Sequence, residues 1–432
     1  MEKISSWGNL SRALHDVCTL TDRQQIQNVL TSKTPGVAFG MGRSYGDVCL
    51  NPNGTLWKTT QLDRFISFDE KTGRLICEAG VLLGDIQQLM IPRGWMLPVT
   101  PGTQFVTVGG AIANDVHGKN HHVVGSFGNH VRRIHLLRTD GTIINCTPEI
   151  LPEWFAATVG GLGLTGVITE VDLQLRKIAS PWLDTETIPF FNLEDFFKLA
   201  NFSEAKWEHT VSWVACLSKT TSRGIFMRAK QSDATGLAVP KNRTLSVAFT
   251  PPFSLINTLT LKPFNEAYFN LKKRKAGKRL MHYQPFFYPL DQVIHWNRIY
   301  GPKGFYQHQS VVDEAVGQEA VQTMLHEIAR SGQGSFLAVL KTFGHQESLG
   351  MLSFPKHGVT LSLDFPNQGI KTQHLLNRLD AIVGEAKGRI YPAKDACMSR
   401  ALFEAGYPRL SEFQTYRDPG ISSSLSRRLM GA

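Results

Sequence analysis

Hydrophobic residues follow two rhythms along the chain. As far as about residue 180 they come in short runs, GRLICEAGV, GGAIAND, RRIHLLRT and GLTGVITEVDLQL, broken by glycines and by turns such as TDGT at 139–142. Short apolar runs between turn signals predict strands. One helix interrupts them, because Leu82, Ile86, Leu89 and Met90 recur at helical spacing. Around Ser180 the glycines thin out and aromatic residues increase. Beyond it short strands mix with amphipathic helices: Val321, Met324, Leu325 and Ile328 make one apolar stripe, and Leu375, Leu379, Ile382 and Val383 another. The texture predicts an α+β fold with no internal repeat and no regular strand–helix–strand alternation.

At 432 residues the chain is long enough for two domains. No apolar run approaches the ~20 residues of a membrane span. The N-terminus MEKISSWGNLSRALHD lacks the basic-then-apolar order of a secretion signal. Both point to a cytoplasmic protein or one peripheral at the inner membrane. Cys18, Cys49, Cys77, Cys146, Cys216 and Cys397 are scattered without a C-x-x-C pair, which argues for reduced thiols and against a structural metal site. The net charge of +10 fits a nucleic acid, an anionic membrane or a phosphorylated substrate. No nucleic-acid-binding motif accompanies it, so no nucleic-acid partner is expected. Basic residues peak in NLKKRKAGKR at 270–279, just after the apolar, proline-bearing TPPFSLINTLTLKPF at 250–264. This stretch reads either as a solvated surface loop or as a segment resting on anionic lipid.

The candidate chemistry lies in two glycine-rich loops. FGMGRSYGD, at 39–47, spaces Gly40, Gly42 and Gly46 unlike the dinucleotide-binding G-x-G-x-x-G or the triphosphate-binding G-x-x-x-x-G-K. PGTQFVTVGGAIANDVHGKNHHVVGSFGNHV follows at 101–131. Two such loops can offer backbone N–H groups to one extended ligand from two sides, which suits a pyrophosphate.

These loops, ATVGGLGLTGVI at 157–168, YPLD, HWNRIYGP, LSFP, DFP, RIYPAKD at 389–395 and LSRRLMG occur in an order that resembles the vanillyl-alcohol oxidase and p-cresol methylhydroxylase superfamily of flavoproteins. Within it the chain is most similar to the branch that oxidises the 2'-hydroxyl of a polyprenylphosphoryl-β-D-ribose, the first half of an epimerisation to arabinose for the cell envelope. The resemblance implies a two-domain fold, with an FAD-binding domain over residues 1–180, a substrate domain of sheet and helices over 181–388, and a segment 389–432 returning to the first domain. It assigns the FAD site to Gly40, Gly42, Arg43, Ser44, Tyr45, Gly46, Pro101, Gly102, Thr103, Gly109, Gly110, Asn114, Val116, His117, Gly118, Ile168, Tyr391 and Lys394. The position that carries a covalent flavin link in some members is here Tyr45, which implies non-covalent FAD.

The resemblance also assigns catalytic roles to Lys394, His117 and Tyr45. The Lys394 ammonium can stabilise reduced flavin or hold the alcohol oxygen, and a desolvated lysine can shift toward neutrality. His117 can shuttle a proton or only hydrogen-bond within its loop. Alternation in GFYQHQSVV puts Gln307 and Gln309 on one strand face, and with Lys119, Lys341 and Ser362 they are the implied substrate contacts. Ser362 stands where mycobacterial members carry a cysteine attacked by nitroaromatic inhibitors, so no thioether is expected here. FFYPLD, with Phe287 and Tyr288, departs from the usual FYHPLD and alters that side of the pocket. A separate NADH- or NADPH-dependent short-chain reductase is the implied partner. Two other readings are a soluble sugar or alditol oxidase using oxygen and a non-catalytic flavoprotein subunit.

Overall fold

A computed structural model describes residues 1–22, 26–217, 222–238 and 244–431. Strands Glu2–Ile4, Ala13–Thr19, Thr55–Lys58 and Gly36–Phe39 form a first sheet in that order, with parallel pairing on both sides of Thr55–Lys58. A second, antiparallel sheet orders Phe65–Asp69, Arg74–Glu78, Val167–Gln174, Val131–Leu137 and Ile143–Cys146. Three of the expected strand runs lie here, and TDGT turns the chain between Val131–Leu137 and Ile143–Cys146, with the Gly141 N–H donating to the Arg138 carbonyl.

After residue 180 the chain enters an eight-stranded antiparallel sheet. Its order is Gly277–His282, Trp182–Phe190, Gly224–Gln231, His209–Val214, Val339–Phe343, Gly358–Pro366, Phe305–Val312 and Arg389–Ile390. Helices Glu314–Ser331 and Ile370–Glu385 pack on each other and on this sheet. Both expected apolar stripes are buried in them, which is what a helix needs in order to be held by tertiary packing. Asp313 caps the first helix by accepting from the Ala315 N–H, and Gly332 in left-handed geometry ends it. The expected helix near residue 86 runs Leu83–Met90, and Leu82 is its cap residue.

Two readings of the pattern need correction. GGAIAND is not a strand: Val108–Ala113 is a helix whose cap, Thr107, accepts from the Gly110 N–H. Glycine and alanine make that run apolar without the branched side chains that favour a pleated sheet. The basic stretch is not a loop either. Helix Thr258–Arg274, capped by Asn257, runs through it, and Gly277–His282 is an edge strand paired with Trp182–Phe190. Pro263 is accommodated inside this helix, which from sequence alone argues for a break. Residues 239–243 lie outside the described residues.

The C-terminal stretch threads back to the first sheet. Ile421 bridges to Gly36, and the Ser422 N–H donates to the Gly36 carbonyl. From helix Ser424–Met430, Arg428 reaches both Asp47 and Asp395 at 2.9 and 2.8 Å and also donates to the Met398 carbonyl. One guanidinium thus ties the first glycine loop to the AKD turn.

Candidate functional site

The three sheets meet around a cavity of about 320 Å³. Each contributes one wall. The loop after strand Gly36–Phe39 brings Gly40, Gly42, Arg43, Ser44 and Tyr45 to the lining. Pro101, Gly102, Thr103, Gly109, Gly110, Asn114, Val116 and His117 come from the second loop and its helix, with Ile168 beside them. Across the cavity, strands Phe305–Val312, Val339–Phe343 and Gly358–Pro366 supply Gln307, Gln309, Lys341 and Ser362, and the turn after Arg389–Ile390 supplies Tyr391 and Lys394. Gln309 is directly opposite Ser362 in the ladder.

Three residues expected at the site do not line this cavity. Gly46 is glycine for another reason: a Cβ there would lie 1.5 Å from the Asp395 carbonyl oxygen, so its missing side chain lets the AKD turn close against the loop. Gly118 offers its carbonyl to the Lys341 ammonium at 3.3 Å instead of facing the cavity. Lys119 is turned away, donating to the Phe287 carbonyl at 2.8 Å beside a small separate pocket with Arg176, Glu208 and His209. The charge preference of a solvated ammonium does not hold there, since burial depresses its pKa to about 7. Sequence reasoning missed Trp7, Leu290, Asp291 and Trp296, which also line the cavity. The motifs YPLD and HWNRIYGP, which hold the last three, were visible, but no spacing rule points a tryptophan or an aspartate toward a cavity.

The reactive end of the site is buried and rich in polar groups. The Lys394 ammonium lies 3.8 Å from the centre of the Tyr45 ring. The Tyr45 main chain is fixed by donating to the Ala393 carbonyl and by accepting from the Gly8 N–H and the Ser6 hydroxyl. Burial pulls Lys394 down to about 8, against the opposing pull of Asp364, and burial brings Lys341 to about 8 as well. Asp364, fully buried, is raised to about 7 by desolvation while accepting from Gln307 at 2.5 Å. His117 packs between Phe343, Phe354 and Tyr391, and burial followed by the Lys341 charge holds it well below the usual histidine range. It is therefore a neutral imidazole whose Nε2 meets the Gln309 amide at 3.0 Å. The Tyr391 hydroxyl donates to the Asn114 carbonyl and holds the AKD turn against the second loop.

The other end fits an anionic, extended ligand. Among the described residues, the main-chain N–H groups of Met41, Gly42, Arg43 and Ser44 donate to no protein group, four consecutive donors at the edge of the cavity. Such a run is an anion-binding concavity. Gly102 has no left-handed φ and no atom within 4 Å of the place of a Cβ, so neither the backbone nor packing requires glycine. The space it leaves opens onto the cavity. Ala113, Val116, Leu162 and Ile168 give an apolar wall for a flat ring.

Residues 17–147 match a family described as an FAD binding domain. A decaprenylphosphoryl-β-D-ribose oxidase of Mycolicibacterium smegmatis is 34% identical over 99% of this chain and 97% of its own length. The chain belongs to the family of that oxidase. An uncharacterised Streptomyces coelicolor protein is 32% identical over 81% of this chain and its own entire length, and bovine L-gulonolactone oxidase is 31% identical over 39% of each. Membership places the chain among the FAD-dependent oxidoreductases of the vanillyl-alcohol oxidase and p-cresol methylhydroxylase superfamily, enzymes acting on CH–OH groups. The cavity suits this cofactor: the free N–H groups of Met41 to Ser44 and the space at Gly102 would hold its pyrophosphate, and the apolar wall its ring.

Proposed function

We propose that the chain oxidises the 2'-hydroxyl of a polyprenylphosphoryl-β-D-ribose to the 2'-keto sugar. The observation that carries this reading is the pairing of a partly buried Lys394 with Gln307, Gln309, Lys341 and Ser362 in one cavity, within a chain aligned end to end with a decaprenylphosphoryl-β-D-ribose oxidase. FAD, when bound, supplies the acceptor for the hydride leaving the 2'-carbon.

The protein's share of the reaction is to hold the sugar and take the hydroxyl proton. Lys394, neutral in a useful fraction near pH 8, accepts that proton at Nζ as the C=O bond forms, and the resulting ammonium rests against the face of Tyr45. Gln307 and Gln309 orient the sugar hydroxyls, and the remaining hydrogen-bonding capacity of Gln309 is set by neutral His117. His117 thus serves as a positioning residue. Lys341 meets the anionic part of the substrate. The keto product requires a separate NAD(P)H-dependent reductase to complete epimerisation.

Two measurements test this. Anaerobic addition of farnesylphosphoryl-β-D-ribose is expected to bleach the flavin band; bleaching by free pentoses or alditols alone would replace the lipid-linked substrate. The rate of bleaching is expected to rise about tenfold per pH unit and level off above about 8, since the neutral lysine is the reactive form. That limb persists in Lys341→Met if Lys394 is its source. A rate that falls through pH 8 would instead make the ammonium the active form.

The cofactor is non-covalent in this reading, because Tyr45 occupies the loop position and its phenol, held well above its usual pKa by burial, makes no link to flavin. Acid precipitation is expected to leave the yellow colour in the supernatant; colour retained in the pellet would overturn this.

A further inference from the structure

We propose that residues 245–280 form a docking face for an anionic lipid bilayer. Leu245, Phe249, Phe253 and Leu259 are between 66 and 86% exposed, and Leu255, Phe264 and Leu271 are exposed with them. Isolated apolar side chains on a surface need no explanation, but a succession of large ones in a single segment marks a binding surface. The same segment carries Lys262, Lys272, Lys273, Arg274, Lys275, Lys278 and Arg279. From 244 to 282 its single carboxylate is Glu266, and Arg223 pairs with it.

This chemistry selects among occupants. Protein interfaces are depleted in lysine, and a nucleic acid has no use for aliphatic side chains standing in water. Exposed leucine and phenylalanine together with lysine and arginine that have no carboxylate partner among the described residues match the acyl boundary and the phosphate layer of one leaflet. Among the described residues no helix is long and apolar enough to cross a membrane, so the contact is with the surface.

The face is continuous with the cavity. Leu245–Ser246 pairs in parallel with Val293–Ile294, the Val247 N–H donates to the Ile294 carbonyl, and the Leu255 N–H donates to the Ile299 carbonyl. Leu290, Asp291 and Trp296, on that partner segment, line the cavity. A lipid-linked sugar therefore has a short route from the leaflet to Lys394. The inference takes its purpose from the proposed substrate, while the docking surface itself stands on exposure and charge.

The test is co-sedimentation of the FAD-loaded full chain with vesicles of phosphatidylglycerol and phosphatidylcholine, or of phosphatidylcholine alone, at low and high salt. Binding is expected to require phosphatidylglycerol and to weaken with salt. It is expected to fall about tenfold or more both in K272S/K273S/R274S/K275S and in F249S/F253S/L259S. Flavin content and bleaching by the short farnesyl substrate stay unchanged in both variants. Wild-type protein that ignores both vesicles, variants that bind as wild type, or a self-associated form that dissociates in the variants without any vesicle binding would each overturn the proposal. Vesicle binding without ribose oxidation would instead remove the substrate reading and leave the docking face standing.

Discussion

Lys394→Ala is expected to slow bleaching of bound FAD by substrate about 10³-fold, the scale of a lost general base, while the protein stays folded and yellow. The side chain sits at the cavity end, and what anchors its turn belongs to the main chain and to its neighbours: the Lys394 N–H donates to the Tyr391 carbonyl, and Asp395 accepts from the Cys397 and Met398 N–H groups. Cutting the side chain back to alanine leaves those bonds in place. Lys394→Arg separates the two roles of the ammonium. Arginine keeps the cation over Tyr45 but does not lose its proton, so it restores little if Lys394 is the base. Stopped-flow bleaching with the flavin-to-protein absorbance ratio measured alongside gives both readouts, and full activity in Lys394→Ala would remove its assigned role.

The second large effect is expected from Arg428→Ala, far from the chemistry in sequence. It leaves Asp47 and Asp395, both largely buried, without their shared cation. Removing one partner of such a pair costs about 3 kcal/mol because the orphaned charge remains. The urea midpoint is expected to fall accordingly and FAD affinity to fall with it, since Asp47 ends the loop whose unbonded N–H groups lie at the edge of the cavity. The deficit should shrink as pH falls, because burial already raises the Asp47 carboxyl, which takes up a proton once its cation is gone. Arg428→Lys should recover part of the stability, as lysine restores the charge but not the forked geometry. An unchanged midpoint in Arg428→Ala would show that the clamp contributes nothing.

The alternation that put Gln307 and Gln309 on one strand face was legible because a strand has a period of two, and both line the cavity. The helical stripes at 321–328 and 375–383 were equally plain. What escaped the sequence depended on neighbours from elsewhere in the chain. Gly46 read as part of a phosphate loop, yet it makes room for Asp395. Lys119 stood near His117 in HGKNHH, but two residues along the loop its side chain is turned toward Phe287. Asp364 drew no notice in DFP because nothing local marks it as buried between Gln307 and Lys394. GGAIAND read as a strand by its apolar content, and the cap that makes it a helix is a single threonine.

The clamp from Arg428 and the bridge from Ile421 to Gly36 also bear on the order of events during synthesis. The first glycine loop leaves the ribosome about 380 residues before the helix that secures it, which at ordinary elongation rates is roughly 20 to 80 s. Through that interval the nascent chain holds Gly36 and Asp47 without their final partners. A ribosome stalled short of Arg428 therefore holds a chain whose first loop still lacks its clamp.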